Sequence, residues 1–283
     1  MNGTAARLLR TNPRLFYVIL VFCILIPLLK PMGLPLNITK PVRDAWNFME
    51  SLPKGSIVVY SIDVSPSNEA ENWPETVAFL HHSVLKGHRI VLATFIPEGV
   101  MYSERAVKEI TDPAGYVYGK DVVVLPYRAG LETAVAAFSE DFRGTYRADY
   151  YGKSAESLPL MQDIKSMKDV ALVNIFTAGD NGLYFLRQVE AKYKTPTIVG
   201  IVAVGITLYG PYQASGQLKG LLLGQAGAAE YELLCNRPGK GVAAMDAQSI
   251  GHVYLILLIV ISNILYFSAK RQSKARSASE GGQ

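Results

Sequence analysis

Two uncharged apolar runs near the ends of this chain limit what it can fold into. Residues 15–29 read LFYVILVFCILIPLL, and residues 250–269 read IGHVYLILLIVISNILYFSA. A run of ~20 apolar residues crosses the ~30 Å of bilayer hydrocarbon, so the second run predicts a transmembrane helix. The first is shorter. Arg14 and Lys30 can snorkel from its ends and residues 32–36 are again apolar, so a second spanning segment over 15–36 is expected. Pro27 is compatible with a helix near its end. The competing reading is a cleaved secretory signal. The exit from the run, PLLKPMGLPLNITKP, is punctuated by proline and offers no A-x-A-like site, so retention is expected.

Charge orients the spans. The tail 1–14 carries Arg7, Arg10 and Arg14 and no acid. The other tail, 270–283, carries Lys270, Arg271, Lys274 and Arg276 against Glu280. Each tail is +3, so the whole-chain charge of +4 leaves the rest at −2. Basic flanks stay on the cytoplasmic side, which puts both termini in the cytoplasm of a plasma-membrane protein and residues 37–249 outside it. A pI of 8.9 suggests nucleic acid at first sight. Here the excess charge sits in the tails, so that partner class is excluded and the lipid bilayer takes its place. Two cysteines, Cys23 inside the first run and Cys235 far away, imply no disulfide. A disulfide-free outer domain suits a prokaryote.

Residues 37–249 read as α/β. Five short β-branched runs recur at 56–62, 89–95, 121–125, 170–176 and 197–207. They are continuous rather than alternating, the pattern of strands buried on both faces. Amphipathic stretches at 73–86, 102–110, 131–138 and 181–193 lie between most of them. The expectation is a Rossmann-like, five-stranded, mostly parallel sheet with flanking helices, held between two transmembrane helices. Residues 139–168 break the alternation. They form a long, polar, tyrosine-bearing excursion with one short helix near Pro159, either an ordered surface insertion or a partner-binding segment.

Open parallel sheets bind ligands outside the carboxyl ends of their strands. The strand exits here present Asp63, Ser65, Ser67 and Glu69; then Glu98; then Arg128; then Thr177 and Asp180; then Tyr209, Gln213 and Gln217. The spacing D-x-S-x-S at Asp63, Ser65 and Ser67 resembles, over five residues and with Pro66 inside it, the metal motif of von Willebrand factor A-type domains. That resemblance implies Mg²⁺ or Ca²⁺ held by hard oxygens, with Thr177 and Asp180 as later ligands. The alternative is Ser/Asp turn chemistry feeding a helix that starts near Trp73, with no cofactor.

The stretch YGPYQASGQLKGLLLGQAGAAEYELL, residues 209–234, predicts a helix opened by Ser215 and Gly216. It would carry Gly220, Gly224, Gly227 and Ala228 on related faces, and small residues four apart allow close helix approach. Either this helix packs on its own sheet or it meets another protein. Ser215 with Lys219 is similar to the Ser-Lys pair of membrane-anchored serine peptidases of the crotonase-like fold, which implies a nucleophile and its base. Asn263 is a polar group in the second run, and it bonds either its own backbone or a neighbouring helix.

Three function classes fit these residues. The first is a non-enzymatic scaffold or accessory subunit of a membrane complex, whose partners are other membrane subunits or further copies of this chain. The second is a receptor domain that binds a ligand or divalent metal at the strand-end rim. The third is an anchored serine hydrolase.

Overall fold

A computed structural model describes residues 13–280, with side chains over 14–271. Arg7 and Arg10 and the last three residues lie outside the described residues, as do the side chains of Lys274, Arg276 and Glu280. The chain divides into two units: residues 33–242, and a second unit made of 1–32 with 243–283.

Strands β1 (Ile57–Ile62), β2 (Arg89–Ala93), β3 (Val122–Val124), β4 (Leu172–Thr177), β5 (Thr197–Ile201) and β6 (Gly220–Leu223) form one sheet, all parallel, in the order β3-β2-β1-β4-β5-β6. This is the doubly wound, Rossmann-like order. Successive residues of each strand enter opposite cores. Val59 lies in one and Val58 and Tyr60 in the other, which is why the strands read as unbroken apolar runs.

One face is covered by α2 (Lys40–Ser51), α3 (Glu69–Lys86), α4 (Gly99–Ala106) and α8 (Gly224–Leu234). The other is covered by α5 (Glu132–Glu140), α6 (Asn181–Phe185) and α7 (Ile206–Ala214). Helices α4 and α6 each run on through a π turn, Val107–Thr111 and Leu186–Glu190.

Four expectations change. The sheet has six strands, not five. The sixth lies inside the stretch read as a glycine-rich helix: Ser215 and Gly216 close α7, residues 220–223 form β6, and only 224–234 are helical. The fifth strand stops at Ile201, so Tyr209 and Gln213 sit on α7 rather than in a strand-exit loop. Helix α3 starts at Glu69 rather than near Trp73, with Pro74 inside it. Pro74 has no N–H for the carbonyl of Ala70, and the side-chain amide of Gln225 donates there instead at 3.2 Å. Lastly, the excursion is no surface loop. Phe142, Tyr146, Leu158, Leu160, Met161, Ile164 and Met167 are buried in the α5–α7 core; the short helix near Pro159 is present as Pro159–Gln162.

The second unit holds α1 (Pro13–Leu29) and most of the helix α9 (Lys240–Glu280), whose first residues belong to the unit 33–242. Tyr254 donates to the Phe16 carbonyl at 2.9 Å, and the Met32 N–H to the Asp246 carboxylate at 2.6 Å, so the two segments run in opposite directions. By length and composition one described helix can cross a membrane, not two. Residues 240–271 have a mean hydropathy of 2.1 over the best window, while the apolar helix 14–29 is shorter. At ~1.5 Å per residue α1 covers ~26 Å, a little under the hydrocarbon thickness. Asn263 donates to the Ile259 carbonyl of its own helix at 3.0 Å.

Candidate functional site

In this strand order the chain switches direction between β1 and β4, and the crevice at their carboxyl ends is where such sheets place a site. Asp63, one residue beyond β1, stands at its floor. Its N–H closes onto the Phe176 carbonyl at 2.9 Å. Its carboxylate is buried and accepts four donors. Oδ1 takes the Phe95 N–H at 2.7 Å and the Thr94 hydroxyl at 3.2 Å; Oδ2 takes the Ser61 hydroxyl at 3.0 Å and the Asn181 amide at 2.9 Å. Burial raises the Asp63 pKa, and those donors oppose the rise. The carboxylate thus ties β1, the β2 exit and the start of α6 together. Gly99 lets α4 begin against this knot, since a Cβ there would strike Thr94 and the Ile62 carbonyl.

The hydroxyls of the D-x-S-x-S stretch turn to each other. Ser65 and Ser67 share a hydrogen bond of 2.8 Å, the Ser65 N–H donates to Asn68 Oδ1 at 2.7 Å, and Asn68 Nδ2 donates to the Asp63 carbonyl at 3.3 Å. This is a turn that closes on itself ahead of α3. Among the described residues no group of three His, Cys, Asp or Glu side chains is placed to hold a metal ion.

The other predicted rim residues scatter. Glu69 accepts Arg105 at 2.8 Å and Tyr102 at 3.0 Å, and the Arg105 guanidinium, which lies 4.6 Å over the Trp73 ring, holds the Glu69 carboxyl below its ordinary range. Glu98 is exposed at the foot of α4. Arg128 donates to the Thr145 carbonyl at 2.8 Å. Thr177 is buried and accepts the Gly179 N–H at 3.2 Å, and Asp180 is exposed where α6 begins. Tyr209 reaches back from α7 to donate to the Gly179 carbonyl at 2.6 Å, over Gly182, where a Cβ would meet its ring. Gln213 lies on α7 and Gln217 in the exposed turn before β6. The crevice therefore gathers Asp63, Thr177 and Tyr209, with Ser61, Thr94 and Asn181 as partners of Asp63 that strand-exit reasoning leaves out.

Ser215 donates to the Tyr212 carbonyl at 3.0 Å and Lys219 to the Gly216 carbonyl at 3.4 Å, each bonded within its own exposed turn. The small residues serve internal packing. Gly220 lies under Ala45 of α2, Gly227 rests on the Leu222 backbone, and Ala228 is fully buried. Gly224, at φ +57, turns the chain from β6 into α8 against the Glu71 carboxylate.

Three more glutamates bind the frame. Glu75 is fully buried and accepts Asn72 Nδ2 at 2.9 Å, while its Oε1 has no partner. Burial holds its carboxyl well above the ordinary range, and the nearby Glu71 charge adds to that. Glu230 accepts the N–H and hydroxyl of Thr39, both at 2.7 Å, ahead of α2. Glu232 accepts the N–H groups of Gly239, Gly241 and Val242 at 2.8–3.0 Å, satisfying the free donors at the start of α9. Both places where the chain leaves the α/β unit are thereby pinned to one helix, α8.

At the β3 exit the backbone is strained. Leu131 has φ 48 and ψ −121, a region that L residues avoid, and its side chain is 55% exposed. Val204, beyond β5, is 82% exposed. No protein family, curated protein or solved structure matches this chain.

Proposed function

We propose that this chain is a membrane-anchored, non-enzymatic scaffold or accessory subunit. Its α/β domain docks another membrane subunit, or a second copy of the chain, through the rim at the carboxyl ends of the sheet. The observation that carries this reading is Leu131. A conformation costing about 1–3 kcal/mol persists only where the surroundings enforce it, and here it holds a large apolar side chain in water. A lone exposed apolar side chain is ordinary; what supports docking here is that a strained backbone presents one. The carboxylate of Asp63 supports the same reading, because it is buried and bonded by Phe95, Ser61 and Asn181, with the Thr94 hydroxyl shared between it and the Ile96 carbonyl, which leaves little of it for general-base work.

The proposed placement is the plasma membrane, with both termini cytoplasmic and the α/β domain outside. Its supports are the basic tails, the opposed course of α1 and α9, and the apolar surface of α9. Helix α1 inserts beside α9 with Arg14 and Lys30 reaching to the two interfaces. The pinning of both connections to α8 supports an anchored subunit, since a merely tethered domain needs no such fastening.

Extraction in mild detergent tests the docking. The chain is expected in a particle far larger than its 31.0 kDa mass, and Leu131→Asp is expected to shrink that particle. A monodisperse monomer would refute the proposal. Protease added to intact cells tests the placement: the α/β domain should be cut while epitopes at both termini survive.

A second reading, a ligand-binding domain using the rim, is favoured by Tyr146. Its hydroxyl is buried without a partner, within electrostatic reach of Arg128 and Asp63. A thermal shift on adding small anions or Mg²⁺ or Ca²⁺, absent in Tyr146→Phe, would select this reading.

A further inference from the structure

Away from the rim, on the face formed by α3 and α8, a cavity of about 180 Å³ lies beside the start of α9. One wall is α3, with Trp73, Pro74, Val77 and Ala78 at helical spacing. Cys235 from the end of α8 completes the apolar surface. Trp73 is buried, with the Arg105 guanidinium 4.6 Å over its ring.

Charge accounting at the mouth is one-sided. Two carboxylates line the cavity and both are committed: Glu109 binds Arg105 at 2.9 Å, and Glu232 accepts three backbone N–H groups. Two cations line it as well, Arg237 and Lys240, both exposed; among the described residues neither is in a salt bridge, and the one carboxylate within electrostatic reach of Lys240, Glu69, is already bound by Arg105. His81 completes the mouth. Burial and the Arg237 charge lower its pKa to about 4, so it meets a ligand as a neutral imidazole. An apolar floor with positive charge at its edge matches one ligand chemistry.

We propose that this cavity binds a small amphipathic anion, its negative head group held by Arg237 and Lys240 and its apolar body, of about six carbons, lying on Trp73, Pro74, Val77 and Ala78. The body size follows from about 30 Å³ for each water-sized group in the cavity. The site lies outside the strand-end rim, so it is independent of the docking reading.

The test uses the full chain in zwitterionic lipid nanodiscs and the probe 6-bromohexanoate, whose bromine quenches a tryptophan it touches. The chain has two tryptophans, and Trp46→Phe leaves Trp73 as the reporter. The expected result is saturable quenching of Trp73, displaced by hexanoate and not by hexylamine. Affinity should rise about fourfold for each methylene from butanoate to hexanoate. Arg237→Glu with Lys240→Glu should weaken binding roughly tenfold or more, by reversing the field at the mouth. Val77→Phe, which fills the cavity while leaving the mouth intact, should abolish quenching with the far-UV circular dichroism unchanged. Quenching that rises linearly with probe, that hexylamine displaces equally, or that survives both the charge reversal and Val77→Phe would overturn the proposal.

Discussion

Glu75→Gln should stabilise this protein, and by more as the pH rises. Glu75 is wholly removed from water. One carboxyl oxygen accepts Asn72 Nδ2 and the other has no partner, and the Gly200 backbone passes so close that a Cβ there would meet the carboxylate. Burial and the neighbouring Glu71 charge hold its pKa well above 4.5, outweighing the donors Asn72 and Gly224. The sign comes from proton linkage. Between the unfolded pKa and the raised folded pKa, the native state binds more protons than the unfolded state, so stability falls as pH rises. The slope is about 1.4 kcal/mol per pH unit for one group. Glutamine is neutral at every pH, keeps an acceptor for Asn72 and places an N–H where the carboxyl proton sits. As pH rises above the unfolded pKa, the variant should therefore gain on the wild type for as long as the native carboxyl stays protonated. Urea unfolding of the full chain, followed by tryptophan emission at several pH values, reads this difference directly. A variant–wild-type gap that stays flat across pH 5–8, or that shrinks as pH rises, would refute the reasoning.

Other substitutions probe the rest of the frame. Asp63→Ala strands the Phe95 N–H, the Ser61 hydroxyl and the Asn181 amide in the switch-point crevice and should cost about 3 kcal/mol in the same unfolding assay. Gly220→Ala drives a methyl into Ala45 of α2 and should cost about 1–3 kcal/mol by overpacking. Glu232→Ala leaves three N–H groups at the start of α9 unsatisfied and should cost about 1–2 kcal/mol, again by urea unfolding. Leu131→Gly relieves a strained backbone and should raise stability by about 1 kcal/mol, while shrinking the detergent-extracted particle if that side chain docks a partner.

The sheet was legible because strands buried on both faces are mostly apolar without alternation, and β1, β2, β4 and β5 read that way apart from a few polar residues such as Ser61, Asn174 and Thr197. Strand β6 was not. Its four residues lie between Gly220 and Gly224, and small residues four apart on a helix produce the same pattern. The two readings are separated by Ala45, whose side chain requires the bare backbone of Gly220, and that contact joins segments far apart in sequence. Pro74 misled in the same way. A proline marks a helix start when nothing else can satisfy the carbonyl it abandons, and here Gln225, 155 positions from that carbonyl, does so.

The site obeys the same rule. That Asp63 ends a strand is written in GSIVVYSID; that its carboxylate is consumed is not, because Asn181 lies 118 positions away and the Phe95 N–H is a backbone group without a side-chain signature. Asp63, Glu75, Glu230 and Glu232 are all buried, and each is engaged by donors from another segment or by the chain's own turns. A carboxylate spent on holding the chain and one offered to a ligand look identical in sequence, and only the donors tell them apart. In this protein buried acids go to the frame, while among the described residues Arg237 and Lys240 stand outside any salt bridge. Recognition is thus expected where positive charge meets apolar surface, at the cavity beside α9, and where strain holds Leu131 in water. Acid chemistry at the strand ends is not expected to carry it. A ligand whose affinity depended on the Asp63 carboxylate, and not on Arg237 or Leu131, would invert that order.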